Sequence, residues 1–241
     1  MFNLKNKIII VTGSNRGNGL AISEGLKHAN ARVIGLDIKF DAKDEHSYEL
    51  DLTNTALLRD LIDEVYNKYG SIDGLVNNAG ITLESPDPYF DMESYDKTLA
   101  INLNAAFQLC ASVLPYMARK GKGSIVNITS LGAELGFANN PAYQISKAGL
   151  KQMTKALAKD WGSSGIRANN ICPGYIQTSM TQKSFNDPVM YNARKNKTVL
   201  GRWGKSEDLV GPAIFLLSDA SAYITGSDVY VDGGWTSNAG I

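Results

Sequence analysis

Short unbroken apolar runs alternate along this chain with segments whose apolar residues recur every three to four positions. Residues 7–12, Lys-Ile-Ile-Ile-Val-Thr, show no polar alternation, the pattern of a strand buried on both faces. A glycine-rich turn follows, and then Leu20, Ile22, Leu26 and Ala29 at helical spacing. Residues 31–37 predict a second buried strand ending in Asp37. Leu57, Leu58, Leu61, Ile62, Val65, Tyr66 and Tyr69 form the stripe of an amphipathic helix. Leu75 and Val76 mark another strand, 93–117 a long helix, and the run Ser-Ile-Val-Asn-Ile-Thr-Ser a strand closed by Ser130. A helix over 143–161 and a strand over 166–172 come next. Ser206 is expected to cap a helix with Glu207 and Asp208 in its first turn, and Pro212 to bend it or confine its regular part. Residues 228–231 read as the last strand. Such alternation predicts a single α/β domain over 1–241, a doubly wound parallel sheet flanked by helices, with ligands bound at the strand C-terminal ends.

Composition narrows the function classes. With 241 residues, 44% of them hydrophobic, the chain can bury one large core, and no composition break marks a second domain. Twenty-four basic side chains balance twenty-four acidic ones, which gives no electrostatic case for nucleic acid or an anionic membrane. No apolar run looks long enough for a signal peptide or a membrane span, so a cytoplasmic location is expected. Cys110 and Cys172 read as buried free thiols, Cys172 close to the active site. His28 and His46 stand apart, and no metal is expected.

The candidate chemistry lies at the predicted strand ends. Residues 12–19, Thr-Gly-Ser-Asn-Arg-Gly-Asn-Gly, join the first strand to the first helix. There glycines let the backbone approach a pyrophosphate, and the helix start offers free N–H groups. Asp37 closes the second strand, where a carboxylate accepts hydrogen bonds from the hydroxyls of an adenosine ribose and repels a 2′-phosphate; a solvated strand-end acid is the plainer alternative. Tyr143 and Lys147 are four residues apart, on one face of a helix. A free phenol ionises near pH ~10, and base catalysis at neutrality needs that lowered by roughly 3 units, or about 4 kcal/mol. An adjacent ammonium supplies part of the shift, and a cationic nicotinamide could supply more. Ser130, thirteen residues before Tyr143, offers a hydroxyl to a substrate oxygen, or it merely caps a turn.

Together these residues resemble the short-chain dehydrogenase/reductase family over nearly the whole chain, which implies a Rossmann fold. Residues 12–19 resemble its Thr-Gly-x-x-x-Gly-x-Gly loop, assigning cofactor contacts to Gly13, Asn15, Arg16, Asn18 and Gly19. Asp51 and Leu52 resemble its adenine-contacting pair, and the turn of Asn77, Asn78, Ala79 and Gly80 its Asn-Asn-Ala-Gly motif. Pro173 and Gly174 resemble its nicotinamide segment, in which the Ile176 backbone and Thr178 hold the carboxamide. The resemblance makes Asn102, Ser130, Tyr143 and Lys147 a catalytic set: Tyr143 as proton donor and acceptor, Lys147 lowering its pKa and binding the nicotinamide ribose, Ser130 orienting the reacting oxygen. Asn102 would hold a water linking Lys147 to solvent, or it merely satisfies backbone inside its helix. Family members pair their long helices across two-fold axes, which implies a homotetramer. Here Leu103, Phe107, Leu109 and Val113 on one helix, and Leu150, Met153 and Leu157 on the other, offer the apolar surface.

Two positions depart from the family pattern. Asn18 replaces an aliphatic residue, so an apolar cofactor contact is lost or altered. Only thirteen residues separate Asp37 from Asp51, so the usual helix between the second and third strands is very short or absent; Asp41, Lys43, Asp44 and Glu45 suggest a solvated loop.

The implied activity is reversible hydride transfer between a nicotinamide cofactor and a small alcohol or ketone. Asp37 favours NAD, while Arg16 points toward NADP. Residues 178–203 read as a mobile substrate loop, with Lys183, Arg194, Lys195, Lys197 and Arg202 against the single acid Asp187. That balance suggests a polar substrate, a sugar or sugar-like metabolite, with Glu134, Asn139 and Asn140 on the opposite wall. Two other readings stay open: a fatty-acid-type 3-oxoacyl thioester reductase, and a catalytically inactive NAD-binding sensor or scaffold.

Overall fold

A computed structural model describes residues 2–238. Seven parallel strands, β1 (Ile8–Thr12), β2 (Arg32–Asp37), β3 (Ser47–Glu49), β4 (Gly74–Asn77), β5 (Gly123–Ile128), β6 (Ile166–Pro173) and β7 (Asp228–Val231), form one sheet in the order β3-β2-β1-β4-β5-β6-β7. The unalternated apolar run of β1 is explained by burial on both faces. Ile8 and Ile10 enter one core with Leu58, Ile62, Leu109 and Val113, while Ile9 and Val11 enter the other with Ile22, Leu26 and Leu216. The first core is covered by α2 (Thr55–Tyr69), α4 (Ala105–Lys120) and α5 (Pro141–Trp161), the second by α1 (Gly17–His28) and α8 (Val210–Leu217). Strand order reverses between β1 and β4, which opens the crevice where doubly wound sheets bind ligands.

No helix connects β2 to β3; the intervening chain is an exposed loop, as the short spacing predicts. The expected helix over 93–117 differs in detail. It comprises α3 (Met92–Leu99), a π-helical turn (Ala100–Asn104) and α4. The continuous stretch Met92–Lys120 is long and apolar enough to cross a membrane by length and composition, contrary to expectation. Its apolarity is accounted for by Leu109, Val113 and Met117, all buried in the core.

The segment 178–203 carries a helical turn, α6 (Gln182–Asn186) and α7 (Pro188–Lys195); Asp187 accepts the Val189 and Met190 N–H groups and Pro188 occupies the first position of α7. Two further expectations are corrected. Ser206 does not cap its helix. The cap falls on Lys205, whose N–H donates to Asp208 Oδ2 at 2.8 Å, and the chain runs as a tight turn over Ser206–Leu209 before α8, whose first turn takes Pro212. Finally, Leu109, Val113, Leu150 and Leu157 are buried against the sheet, leaving Phe107 and Ile145 as the large apolar side chains most exposed on α4 and α5.

A polar chain unanticipated from sequence crosses the core. Asn77 Nδ2 donates to Asn127 Oδ1 (2.8 Å), Asn127 Nδ2 to Thr154 Oγ1 (2.7 Å), Thr154 Oγ1 to Asn170 Oδ1 (2.6 Å), and Asn170 Nδ2 to Asp228 Oδ1 (2.7 Å). It ties β4, β5, α5, β6 and β7 in register, since each buried amide would be costly unpaired.

Candidate active site

The glycine turn between β1 and α1 is shaped for close approach. Gly13 and Gly17 adopt positive φ values of 64° and 55°, which favour glycine. A Cβ on Gly19 would sit 1.9 Å from the Gly13 carbonyl oxygen. The β4 turn clamps this loop: Thr12 Oγ1 accepts the Asn78 and Ala79 N–H groups at 3.0 and 2.9 Å, and Asn78 Nδ2 donates to the Thr12 and Gly13 carbonyls at 2.9 and 3.2 Å. Asn78 thus shapes the loop as well as facing the cleft. Gly13 and Gly19 are therefore required by the packing of the turn, and the start of α1 beside it carries no side-chain cap and no acid in its first turn, so the residues present fit the pyrophosphate of a dinucleotide.

On the far side of that loop, Asp37 Oδ2 accepts the Asn15 N–H at 2.9 Å and Oδ1 accepts the Ile38 N–H at 2.8 Å, which fixes the carboxylate at the end of β2. Arg16 is exposed and has no ion pair among the described residues. Asp51 accepts the Thr53 N–H and hydroxyl at 2.9 and 2.8 Å, and Leu52 beside it is buried. Asn18 turns its side chain away from an apolar role: its Oδ1 accepts the Ser206 hydroxyl at 2.8 Å, pinning α1 to the turn before α8.

One cleft at the ends of β4, β5 and β6 brings together Asn18, Asn78, Gly80, Ser130, Tyr143, Lys147, Pro173, Gly174, Ile176 and Thr178. Sequence reasoning did not assign Ile128, Thr129, Met180 and Thr181 to its lining. Thr181 is a structural latch, its hydroxyl donating to the Ile176 carbonyl at 2.6 Å and accepting the Thr178 N–H at 3.1 Å. Ser130 does cap a short turn, accepting the Gly132 N–H at 3.0 Å. That bond uses an oxygen lone pair and leaves the hydroxyl proton for another partner.

Asn102 lies in the π-helical turn. Its Oδ1 accepts the Ile81 N–H at 2.8 Å, and its Nδ2 donates to the Ile81 carbonyl and Ser146 Oγ at 2.9 and 3.1 Å. The side chain therefore anchors the segment after Gly80. Glu134 departs from the expected substrate wall because Lys151 and Tyr230 hold its carboxylate, and Asn140 Nδ2 donates to Thr82 Oγ1 at 2.7 Å. Asn139 occupies a left-handed backbone position at φ 62°.

Burial dominates the electrostatics of the Tyr143–Lys147 pair. Burial holds the Tyr143 phenol above its ordinary pKa; a hydrogen bond from Ser130 opposes this and nearby Tyr175 adds to it. Lys147 Nζ donates to the Ile128 carbonyl at 2.8 Å and lies 5.7 Å from the Tyr143 ring centre, and desolvation lowers its own pKa to about 8.

The Lys147 shift has a stability consequence. The folded chain releases this proton near pH 8, while an unfolded lysine keeps it to about 10.4. Between those values the unfolded state binds more protons, so stability rises with pH; below about pH 8 the gain is absent. In denaturation midpoints followed against pH, the rise is expected to exceed that of Lys147→Met by up to about 3 kcal/mol. Parallel profiles for the two proteins would exclude an ammonium buried in this way.

Fold and site define a nicotinamide-dependent oxidoreductase. The chain matches, over residues 13–236, the protein family described as enoyl-(acyl carrier protein) reductase. It is 35% identical over 247 residues to a 2-dehydro-3-deoxy-D-gluconate 5-dehydrogenase of Pseudoalteromonas atlantica, covering 97% of each chain. It is 35% identical over 246 residues to a 3-oxoacyl-(acyl-carrier-protein) reductase of Thermotoga maritima, covering 96% of this chain and 98% of that one. The crystal structure of a gluconate 5-dehydrogenase from Burkholderia cenocepacia, in complex with NADP and tartrate, superposes with a TM-score of 0.92 at 33% identity, covering 98% of this chain and 97% of that one. The chain belongs to the short-chain dehydrogenase/reductase family and is an NAD(P)-dependent enzyme acting on CH–OH groups.

Proposed function

We propose that this enzyme interconverts a small polar alcohol of sugar type and its ketone, using NAD(H) in preference to NADP(H). The observation that carries the substrate class is the lining of the cleft around Ser130 and Tyr143, where Ile128, Ile176 and Met180 are the large aliphatic side chains among mostly polar and glycine neighbours, too little apolar surface for a steroid or long acyl chain. Sugar-acid relatives such as those of P. atlantica and B. cenocepacia support the reading. The T. maritima relative and the family description favour a 3-oxoacyl thioester reductase as the second reading.

In this reading Gly13, Asn15, Asn18, Gly19, Ala79 and Gly80 bound the cofactor's phosphates, and Asp37, Asp51 and Leu52 its adenosine. Pro173, Gly174, Ile176 and Thr178 flank the nicotinamide, whose C4 exchanges the hydride when bound. Ser130 keeps its proton for the substrate oxygen, and Tyr143 donates or accepts the proton at that oxygen. Lys147 binds the ribose from its place behind Tyr143, and Asn102 holds the backbone through which a proton path reaches solvent.

NAD preference rests on Asp37, held rigidly where a 2′-phosphate would meet a like charge. A panel of sugars, sugar acids, acetoacetyl thioesters and hydroxysteroids, assayed with both cofactors, tests both parts. The highest kcat/KM is expected for a polar alcohol with NAD. Asp37→Ser, which keeps a hydroxyl near the Asn15 N–H, is expected to shift selectivity toward NADP by roughly 10- to 100-fold. A thioester turned over far better than every polar alcohol, or a wild type that prefers NADP, would overturn the corresponding part.

The enzyme is further proposed to be a cytoplasmic homotetramer. Phe107 and Ile145 are 55% and 48% exposed on α4 and α5, the apolar surface a two-fold helix pairing would cover. Cys110 and Cys172 are both buried free thiols, and two cysteines do not make a disulfide framework. Sedimentation at micromolar concentration checks the assembly; a stable monomer would remove it.

A further inference from the structure

Of the five cations in the segment between Thr178 and Trp203, two are neutralised from outside it. Lys183 pairs with Glu84 at 2.8 Å, and Arg202 with Asp208 at 2.7 Å. Lys197 is exposed to solvent, and Lys195 is half-buried with no ion pair among the described residues. Arg194 shares that burial and lack of a carboxylate partner, and is set apart by its Nε, which is enclosed without a hydrogen-bond partner. Its guanidinium carbon lies 4.5 Å from the centre of the Tyr175 ring, a cation–π distance.

The position of this guanidinium is set by aromatic packing. Arg194 belongs to the last turn of α7, and Tyr191 on the same helix stacks on Trp203 at 5.8 Å with an interplanar angle of 8°. The Trp203 indole N–H donates to the Tyr191 carbonyl at 3.1 Å, and Trp203 is only 5% exposed. Trp203 meets Tyr175 edge-on at 5.4 Å, and Tyr175 stacks on Trp235 at 5.2 Å. Tyr175 directly follows Pro173 and Gly174, and it lies close enough to Tyr143 to help raise that phenol's pKa. One aromatic ring therefore links Arg194 to the catalytic hydroxyl.

A buried guanidinium N–H without an acceptor is costly, and native structures seldom keep one without use. The fork is held on the face of Tyr175, which stands between the cleft residues Gly174 and Ile176, and with Nε enclosed its two terminal Nη groups suit one ligand above others, a carboxylate bound bidentately. We infer that Arg194 binds a carboxylate of the substrate, so that the enzyme acts on a hydroxy acid rather than on a neutral polyol. This rests on the polar-alcohol reading above and narrows it: Tyr143 handles the carbinol proton, while Arg194 holds the acid end of the same molecule.

The test compares D-gluconate with D-glucitol, which differ in carrying a carboxylate or a hydroxymethyl group, within a wider set of hydroxy acids and their neutral counterparts. Wild type is expected to favour the acid members. Arg194→Gln is expected to raise KM for them about 10- to 100-fold, with kcat within a few-fold and the neutral members unchanged. Arg194→Lys keeps the charge without the planar fork and is expected to fall between. Equal losses on acid and neutral members in both variants would make Arg194 a structural clasp and overturn the inference. Turnover of neutral alcohols but no hydroxy acid would overturn it while leaving the polar-alcohol reading intact. Turnover of no polar alcohol at all would remove both.

Discussion

Tyr143→Phe is expected to fold, to bind cofactor like the wild type and to lose about 10² to 10⁴ in kcat. The ring stays and only the hydroxyl leaves, so the contacts that seat the residue near Ser130 and Gly132 persist. The loss is catalytic because no other group in the cleft offers a proton at the same place. Ser130 has an ordinary alcohol, and the Lys147 ammonium is committed to the Ile128 carbonyl. Cofactor titration by fluorescence, a thermal midpoint and steady-state kinetics separate the cases. Retained turnover would remove Tyr143 from the chemistry. A parallel loss of cofactor binding would recast it as a structural residue.

Gly19→Ala is expected to have the largest effect on cofactor binding of any single methyl group added to the chain. The new Cβ would lie 1.9 Å from the Gly13 carbonyl oxygen and 2.4 Å from Asn78 Nδ2, atoms that themselves form the clamp between the glycine turn and β4. Backbone has to move, and the motion separates the start of α1 from the turn. Overpacking of this kind costs about 1–3 kcal/mol of stability, and the displaced N–H groups should weaken NADH binding by at least about tenfold. Gly136→Ala is the control, since nothing lies within 4 Å of a Cβ there. Denaturant unfolding and a cofactor titration read the two effects. Wild-type affinity in Gly19→Ala would contradict a cofactor seated on this loop.

Much of this architecture is written locally. The unalternated run of β1, the stripe of α2 and the glycine turn each depend on neighbours a few residues away, so they were legible without coordinates. The thirteen residues between Asp37 and Asp51 could not hold a full crossover helix, and the loop there follows from that count. What stayed hidden depends on partners far along the chain. Glu134 looked free for a substrate, but it meets Tyr230, ninety-six positions away. Ser206 looked like a helix cap, yet its hydroxyl reaches Asn18, 188 positions back. The Tyr143 pKa is the sharpest case. Helical spacing correctly places Lys147 on its face, but the sign of the shift depends on desolvation, which only the packed structure contains. Arg194 was one cation among five until the aromatic cluster set it apart.

The most direct test of the central claim follows the hydrogen itself. A polar alcohol carrying deuterium on its carbinol carbon is incubated with wild-type enzyme and NAD, and the reduced cofactor is analysed by NMR. Direct hydride transfer in this cleft predicts stoichiometric deuterium at C4 of the nicotinamide, with none lost to water, and no label in the Tyr143→Phe reaction over the same time. Unlabelled reduced cofactor, or full labelling by the Tyr143→Phe variant at the wild-type rate, would contradict it.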